Sequence, residues 1–215
     1  MQVTRQSFTR EAADVRRVAL IEATCAALAE AGLAGISVRS ICARAGVSPG
    51  LLRHYFAGID DLVCAAYAAT SARMDAIFDA AIDAAAPDPS ARLYAYLTAS
   101  FRPPVTDPAL LGSWTGFWAL ARTNARAAQI HRAGYAAYRA RLAGLLEACG
   151  LAPNQAAREA IALTALVDGL WLELVLDPAT FGSKGAIAIL EQALATFSPV
   201  RKWRARQDSN LRPPA

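Results

Sequence analysis

The sequence runs to 215 residues with 55% hydrophobic content, four cysteines and a formal net charge of +4. So large an apolar fraction excludes wholesale disorder and leaves material for one good core or two unequal helical domains. Cys25, Cys42, Cys64 and Cys149 lack CxxC spacing and His54 and His131 lie far apart, so no metal or cofactor site is expected and the cysteines most simply fill core positions.

Much of the apolar content is Ala, the strongest helix former, and alternating β-branched runs are scarce, so the expected fold is all-α. Arg5, Arg10, Glu11, Asp14, Arg16 and Arg17 leave no apolar core for a secretion signal. The longest apolar stretch, Ile161 to Leu176, carries Asp168 and Glu173 and falls short of the roughly 20 residues a spanning helix needs. A cytoplasmic protein without membrane contact is the expectation. Charge is unevenly spread. Residues 201–215 hold five bases against one acid, residues 1–56 seven against four, and residues 57–200 ten against thirteen. The basic bias of the first 56 residues is the useful clue to a polyanionic partner, because the tail supplies the overall sum.

Residues 1–13 read as a polar, flexible arm that either follows DNA phosphates or simply frays. Asp14 is a fair N-cap for a first helix to Ala31, with Val18, Ile21, Cys25 and Leu28 on one face and Gly32 as its stop. Next comes SVRSICARAGVSPGLLRHYF, Ser37 to Phe56. Ser37 caps a second helix whose Val38, Ile41 and Ala45 face the first, while Arg39 and Arg44 point outward. Gly46 permits a left-handed turn, Val47 plugs the core, and Ser48-Pro49 starts a third helix of about eight residues. Leu52 and Phe56 face inward there; Gly50, Leu51, Arg53, His54 and Tyr55 are left for the outside. A small residue followed by Arg, His and Tyr suits a helix lying in a DNA major groove. An ordinary helical hairpin of a bundle is the competing reading.

This stretch, over roughly Val15 to Val63 with AGVSPGLLRHYF at its centre, resembles the N-terminal helix-turn-helix of the TetR family of bacterial transcriptional regulators. The resemblance implies that Ser48, Pro49, Gly50, Leu51, Arg53, His54 and Tyr55 meet double-stranded DNA, with Ser37 and Arg39 near the backbone. The family usually has a phosphate-contacting Lys at the start of the fourth helix; here Ile59 stands there, followed by Asp60, a sound cap, and Asp61.

A long amphipathic helix runs from Asp60 to about Ala86 with Leu62, Ala66, Met74, Ile77, Phe78 and Ile82, ended by Pro87 and Pro89. A helix from Ser90 to about Phe101 and a loop with Pro103, Pro104 and Pro108 follow. Then come Trp114, Phe117 and Trp118, Tyr135 and Tyr138 one helix on, and helices Ala156 to Leu176 and Ala186 to Phe197. GSWTGFWALA and LVDGLWLELVL resemble the TetR-like subgroup typified by the choline-responsive repressor of glycine betaine synthesis. Two readings of these aromatics stand open. Trp114, Phe117, Trp118, Tyr135, Tyr138 and Trp171 with Asp168 would attract a quaternary ammonium, each ring by about 0.5 to 2 kcal/mol. Alternatively they fill a core, or, with Leu174, the four-helix dimer interface that the resemblance implies for the last two helices.

The expected organisation is a helix-turn-helix head at 1–59, a ligand-binding and dimerisation bundle at 60–198, and a basic disordered tail at 199–215. The resemblance implies a homodimeric repressor released from a palindromic operator by a small-molecule effector. A degenerate head acting through another regulator is one rival. An enzyme is the other, but no Ser-His-Asp set, paired metal ligands or Gly-rich phosphate loop supports it.

Overall fold

The computed structural model describes residues 3–196, and among them every regular element is helical. The helices are α1 (Val3–Ala31), α2 (Val38–Ala45), α3 (Pro49–Tyr55), α4 (Ile59–Ala84), α5 (Pro89–Ala99), α6 (Pro108–Ala121), α7 (Ala125–Ala148), α8 (Pro153–Leu176) and α9 (Ser183–Ala195). Among the described residues they form two compact units, residues 3–73 with 108–133 and residues 74–107 with 134–196. The expected tail at 199–215 lies outside the described residues.

Local chemistry sets the helix ends in the first unit. Ser37 Oγ accepts from Ser40 N–H at 3.1 Å while Ser40 Oγ accepts from Ser37 N–H at 3.0 Å, a reciprocal capping box that starts α2. Gly46, at φ 66°, ends that helix in the left-handed conformation that favours glycine. Ser48 Oγ then accepts from Leu51 N–H at 3.2 Å, and Pro49 occupies the first turn of α3. Seven residues cannot hold a helix in water alone. Leu52 and Phe56 are buried against Leu20, Leu28, Ile41, Leu62 and Tyr67, and each such side chain contributes about 1.5–3 kcal/mol, so packing fixes α3.

Several expectations need correction. Helix α1 begins at Val3, so residues 3–13 are helical rather than an arm, and Asp14 caps nothing; the run contains neither Gly nor Pro to break it. From Asp14 onward on α1 the first buried side chain is Leu20, and Val18 stays 49% exposed. Helix α4 begins one residue before Asp60, and the reaching carboxylate is that of Asp61, whose Oδ2 accepts from Ala57 N–H at 3.0 Å. Helices α8 and α9 start three residues early, at Pro153 and Ser183, the former because proline suits the first helical turn.

The first unit also extends past residue 59. It takes in α4 to Arg73, all of α6 and the start of α7. Helix α6 lies along α1 so closely that a Cβ added at Gly112 would stand 3.1 Å from the Ala29 carbonyl oxygen, and one at Gly116 3.3 Å from Leu28 Cδ2. Two glycines one turn apart therefore let the backbones approach.

The second unit packs the remainder of α4 and α7 with α5, α8 and α9. Its core holds Met74, Phe78 and Ile82, Leu93 and Leu97, Leu142 and Leu146, and Leu163, Val167 and Leu170. Asp88 Oδ2 caps α5 by accepting from Ala91 N–H at 2.9 Å. Trp171 and Leu174, for which core and dimer interface both stood open, are buried inside this unit. The Trp171 indole needs a partner when buried, and it donates to the Ser100 carbonyl at 2.8 Å.

Candidate functional site

Two regions carry the chemistry, one in each unit. In the first, Arg53, His54, Pro49 and Gly50 of α3 are exposed together with its cap Ser48. Leu51 and Tyr55 are half-buried, and Tyr55 packs against the head core with its ring 5.1 Å, edge-on, from that of His54. Ser37 and Arg39 are exposed at the start of α2. The nine residues expected to meet DNA thus lie on α3 and the first turn of α2. An exposed guanidinium fork with an imidazole beside it can donate to guanine O6 and N7 or to phosphate oxygens.

Other cations surround this surface. Arg44 is paired with Glu30, which ties α2 to α1. Arg17 lies over the Phe56 ring at 5.3 Å, and Arg126 at the start of α7 pairs with Asp61. The Ala57 N–H, and then Arg126, hold the Asp61 carboxyl below its usual range. Ile59, where the family's Lys would stand, is half-buried against the head core. Arg17 and Arg126 escaped sequence reasoning because nothing in the order of residues joins α1, α4 and α7.

In the same unit Phe117 is fully buried and stacks on Tyr67 with centroids 4.5 Å apart, and Trp114 meets Tyr67 edge-on at 5.6 Å. Tyr67 Oη and His131 Nδ1 are 2.9 Å apart, which fastens α7 to α4. Trp118 is half-buried on α6. These three α6 aromatics belong to the head unit. The remaining four residues expected around a ligand, Tyr135, Tyr138, Asp168 and Trp171, belong to the second.

There the structure brings together a group the sequence only partly revealed. Tyr96 and Tyr138 stack at 5.0 Å, and Phe78 meets both rings edge-on at 5.4 and 5.6 Å. Tyr135 donates to Asp168 Oδ1 at 3.0 Å, and Arg139 sits 5.5 Å over the Tyr135 ring. Burial pushes the Asp168 carboxyl up to about 6, against the opposing pull of the Tyr135 hydrogen bond and of Arg139. Burial likewise holds Tyr96 and Tyr138 above the usual phenol range. Phe78 and Tyr96 went unremarked as site residues; ring faces stacked across α4, α5 and α7 leave no trace in one helix's spacing. A carboxyl that titrates at about 6 beside electron-rich rings favours a cation once it is ionised. Among the described residues no group of His, Cys, Asp or Glu could hold a metal ion, and no helix is long and apolar enough to cross a membrane.

Comparison with known proteins bears on both regions. Residues 20–66 match the family described as bacterial regulatory proteins, tetR family, and residues 89–199 match the C-terminal region of BetI-type transcriptional repressors. The HTH-type transcriptional regulator BetI of Burkholderia mallei (strain NCTC 10229) is 31% identical over 195 residues, which cover 85% of this chain and 95% of that protein. A crystal structure assigned to a transcriptional regulator of Pseudomonas aeruginosa PAO1 superposes with a TM-score of 0.75 at 41% identity, over 86% of this chain and 92% of that one. A regulator from Saccharomonospora viridis, solved in complex with choline, superposes with a TM-score of 0.75 over 85% of this chain and 96% of that one; at 17% identity the likeness is one of fold.

Proposed function

Because the chain belongs to the TetR family of bacterial regulatory proteins and carries the C-terminal domain of BetI-type transcriptional repressors, we propose that it reads an operator through α3 and is released from it by a small cation held in the second unit. It is a DNA-binding transcriptional regulator, not an enzyme. The observation that carries the DNA-reading surface is α3 itself. Leu52 and Phe56 anchor the helix from below, Ser48 fixes its start, and Arg53 and His54 are left outward. Arg53 and His54 read base edges, Tyr55 orients the helix, and Ser37, Arg39 and Ser48 hold phosphates. Arg17, over the Phe56 ring, and Arg126, paired with Asp61, offer the backbone contact that Ile59 cannot make.

The chain acts as a cytoplasmic homodimer, so that two copies of α3 enter successive major grooves roughly 34 Å apart on a palindromic operator. Ile161, Leu172 and Leu176 on α8 and Ile189 on α9 are between 38% and 76% exposed, and Ala165 and Gly169 complete the open stripe on α8. A smooth apolar stripe of that kind suits a helix-on-helix dimer seam.

The effector is a quaternary ammonium of choline's class, received by Tyr135, Tyr138, Phe78, Tyr96 and Asp168. Ring faces and the ionised Asp168 carboxylate supply the attraction. Choline in the Saccharomonospora viridis regulator is consistent with it. Release from DNA needs a differential affinity for two poses of about 1 to 3 kcal/mol. A gel-shift titration against the DNA flanking the protein's own gene tests the reading. Retardation at low salt that choline reverses supports it, and no retardation at any protein concentration contradicts it.

A further inference from the structure

Tyr138 Oη is the one fully enclosed side-chain oxygen or nitrogen without a hydrogen-bond partner among the described residues. This is anomalous for a phenol. Buried polar atoms are almost always satisfied, and leaving a hydroxyl unpaired costs the desolvation of that group. The other polar groups of the cluster have assigned partners. The Tyr96 hydroxyl donates to the Tyr138 carbonyl oxygen at 3.3 Å, Tyr135 is committed to Asp168 at 3.0 Å, and the Trp171 indole is committed to the Ser100 carbonyl at 2.8 Å. Ser100 lies close enough to favour the charged form of Tyr138, but its geometry stops short of a hydrogen bond. The Asp168 carboxyl is near enough to oppose ionisation of Tyr138 without touching Oη. An unpaired hydroxyl therefore stands beside an acid, among the stacked rings of Tyr96 and Tyr138 and the edge of Phe78.

From this geometry we infer that Tyr138 Oη is the specificity-determining group of the effector site, pairing with a hydroxyl or carbonyl oxygen that the effector carries a short distance from its positive centre. The inference rests on the cation reading of this site and adds a second point of recognition to it. Rings and a carboxylate hold any small quaternary ammonium with little discrimination, because their attraction has no fixed direction. A hydrogen bond to an otherwise unpaired group is directional, and a ligand that lacks the oxygen leaves that group desolvated and unsatisfied. The effector class is thus an amino-alcohol or a carbonyl-bearing ammonium, not a plain tetraalkylammonium.

The test compares choline with ethyltrimethylammonium, the same cation without its hydroxyl, by calorimetric titration of the full chain and of Tyr138→Phe. The expected result is choline bound about tenfold more tightly than its analogue by the native chain. In Tyr138→Phe the two should bind alike, at about the analogue's native affinity. The apo melting temperature of Tyr138→Phe should be unchanged or higher, since the ring packing is kept and the unpaired hydroxyl is gone. Equal binding of both cations by the native chain overturns this inference and leaves the cation reading standing. A preference that survives in Tyr138→Phe, or a fall in its melting temperature, shows that another group does the reading or that Oη has an internal partner, and also overturns it. Failure of the native chain to bind either cation overturns the cation reading, and this inference falls with it.

Discussion

The Tyr135 hydroxyl donates to Asp168 Oδ1 at 3.0 Å, joining α7 to α8 in the unit that also holds the mutually packed rings of Phe78, Tyr96 and Tyr138. That bond favours the carboxylate, yet burial outweighs it and leaves Asp168 titrating at about 6. Burial, only partly offset by the Tyr135 hydrogen bond and Arg139, makes this acid responsive near neutral pH.

The sign of its pH dependence follows from linkage. The folded-state value lies above the unfolded one, so the protonated acid is favoured by folding. Its contribution to stability is complete below about pH 4 and is lost as pH rises through about 6. A cation beside Asp168 reverses the preference, so choline affinity should rise about tenfold between pH 5 and pH 7.5, as the ionised fraction grows. Asp168→Asn should bind choline weakly at both values with a flat profile. Calorimetric titration across that range reads both outcomes.

Arg53 is exposed, so Arg53→Ala should leave the thermal unfolding transition within about 0.5 kcal/mol of the native one. It should weaken operator binding by about 1–3 kcal/mol and relax discrimination at one base position. Tyr55 needs a gentler change, because it packs on the head core; Tyr55→Phe keeps the ring and tests the hydroxyl alone. Fluorescence anisotropy with labelled operator separates the two effects.

Gly112 and Gly134 make a matched pair. A Cβ at Gly112 meets the Ala29 carbonyl oxygen and Cα at 3.1 and 3.2 Å, both backbone atoms of α1 that cannot swing aside. Gly112→Ala should destabilise by about 1–3 kcal/mol. Nothing lies within 4 Å of a Cβ at Gly134, so Gly134→Ala should stabilise by about 0.4–1 kcal/mol. Urea unfolding measures both.

The exposed α8 stripe gives a prediction about assembly. Ile161→Glu with Leu176→Glu should convert a dimer to a monomer in sedimentation velocity without unfolding it, because both side chains are more than half exposed. Operator affinity should fall steeply, since one head contacts only one half-site.

How far the sequence was legible depended on the range of the chemistry. Ser37, Gly46, Ser48 and Pro49 act within four residues of themselves, and the turn they build is readable from their order. The place of α6 was not. GSWTGFW is as suitable for a ligand cage as for a core, and only the spacing of Gly112 and Gly116 hinted at close packing against another helix. Trp171 reads equally as a ligand, core or interface residue in the sequence, because an apolar run does not reveal which side is covered. Its indole N–H, which finds Ser100 71 positions away in the chain, decides for burial. Asp168 was noticed for its charge, but its partner Tyr135 is fixed by tertiary packing alone.

The central claim is that operator reading and effector sensing reside in different units of one chain, and one displacement measurement tests it most directly. Labelled DNA from beside the protein's own gene is bound by native protein, Arg53→Ala and Asp168→Asn, and choline is then titrated while anisotropy is followed. The account predicts that native protein binds and is released, that Arg53→Ala binds poorly from the start, and that Asp168→Asn binds as well as native but stays on the DNA. Release of Asp168→Asn at the native choline concentration, or full binding by Arg53→Ala, would contradict it.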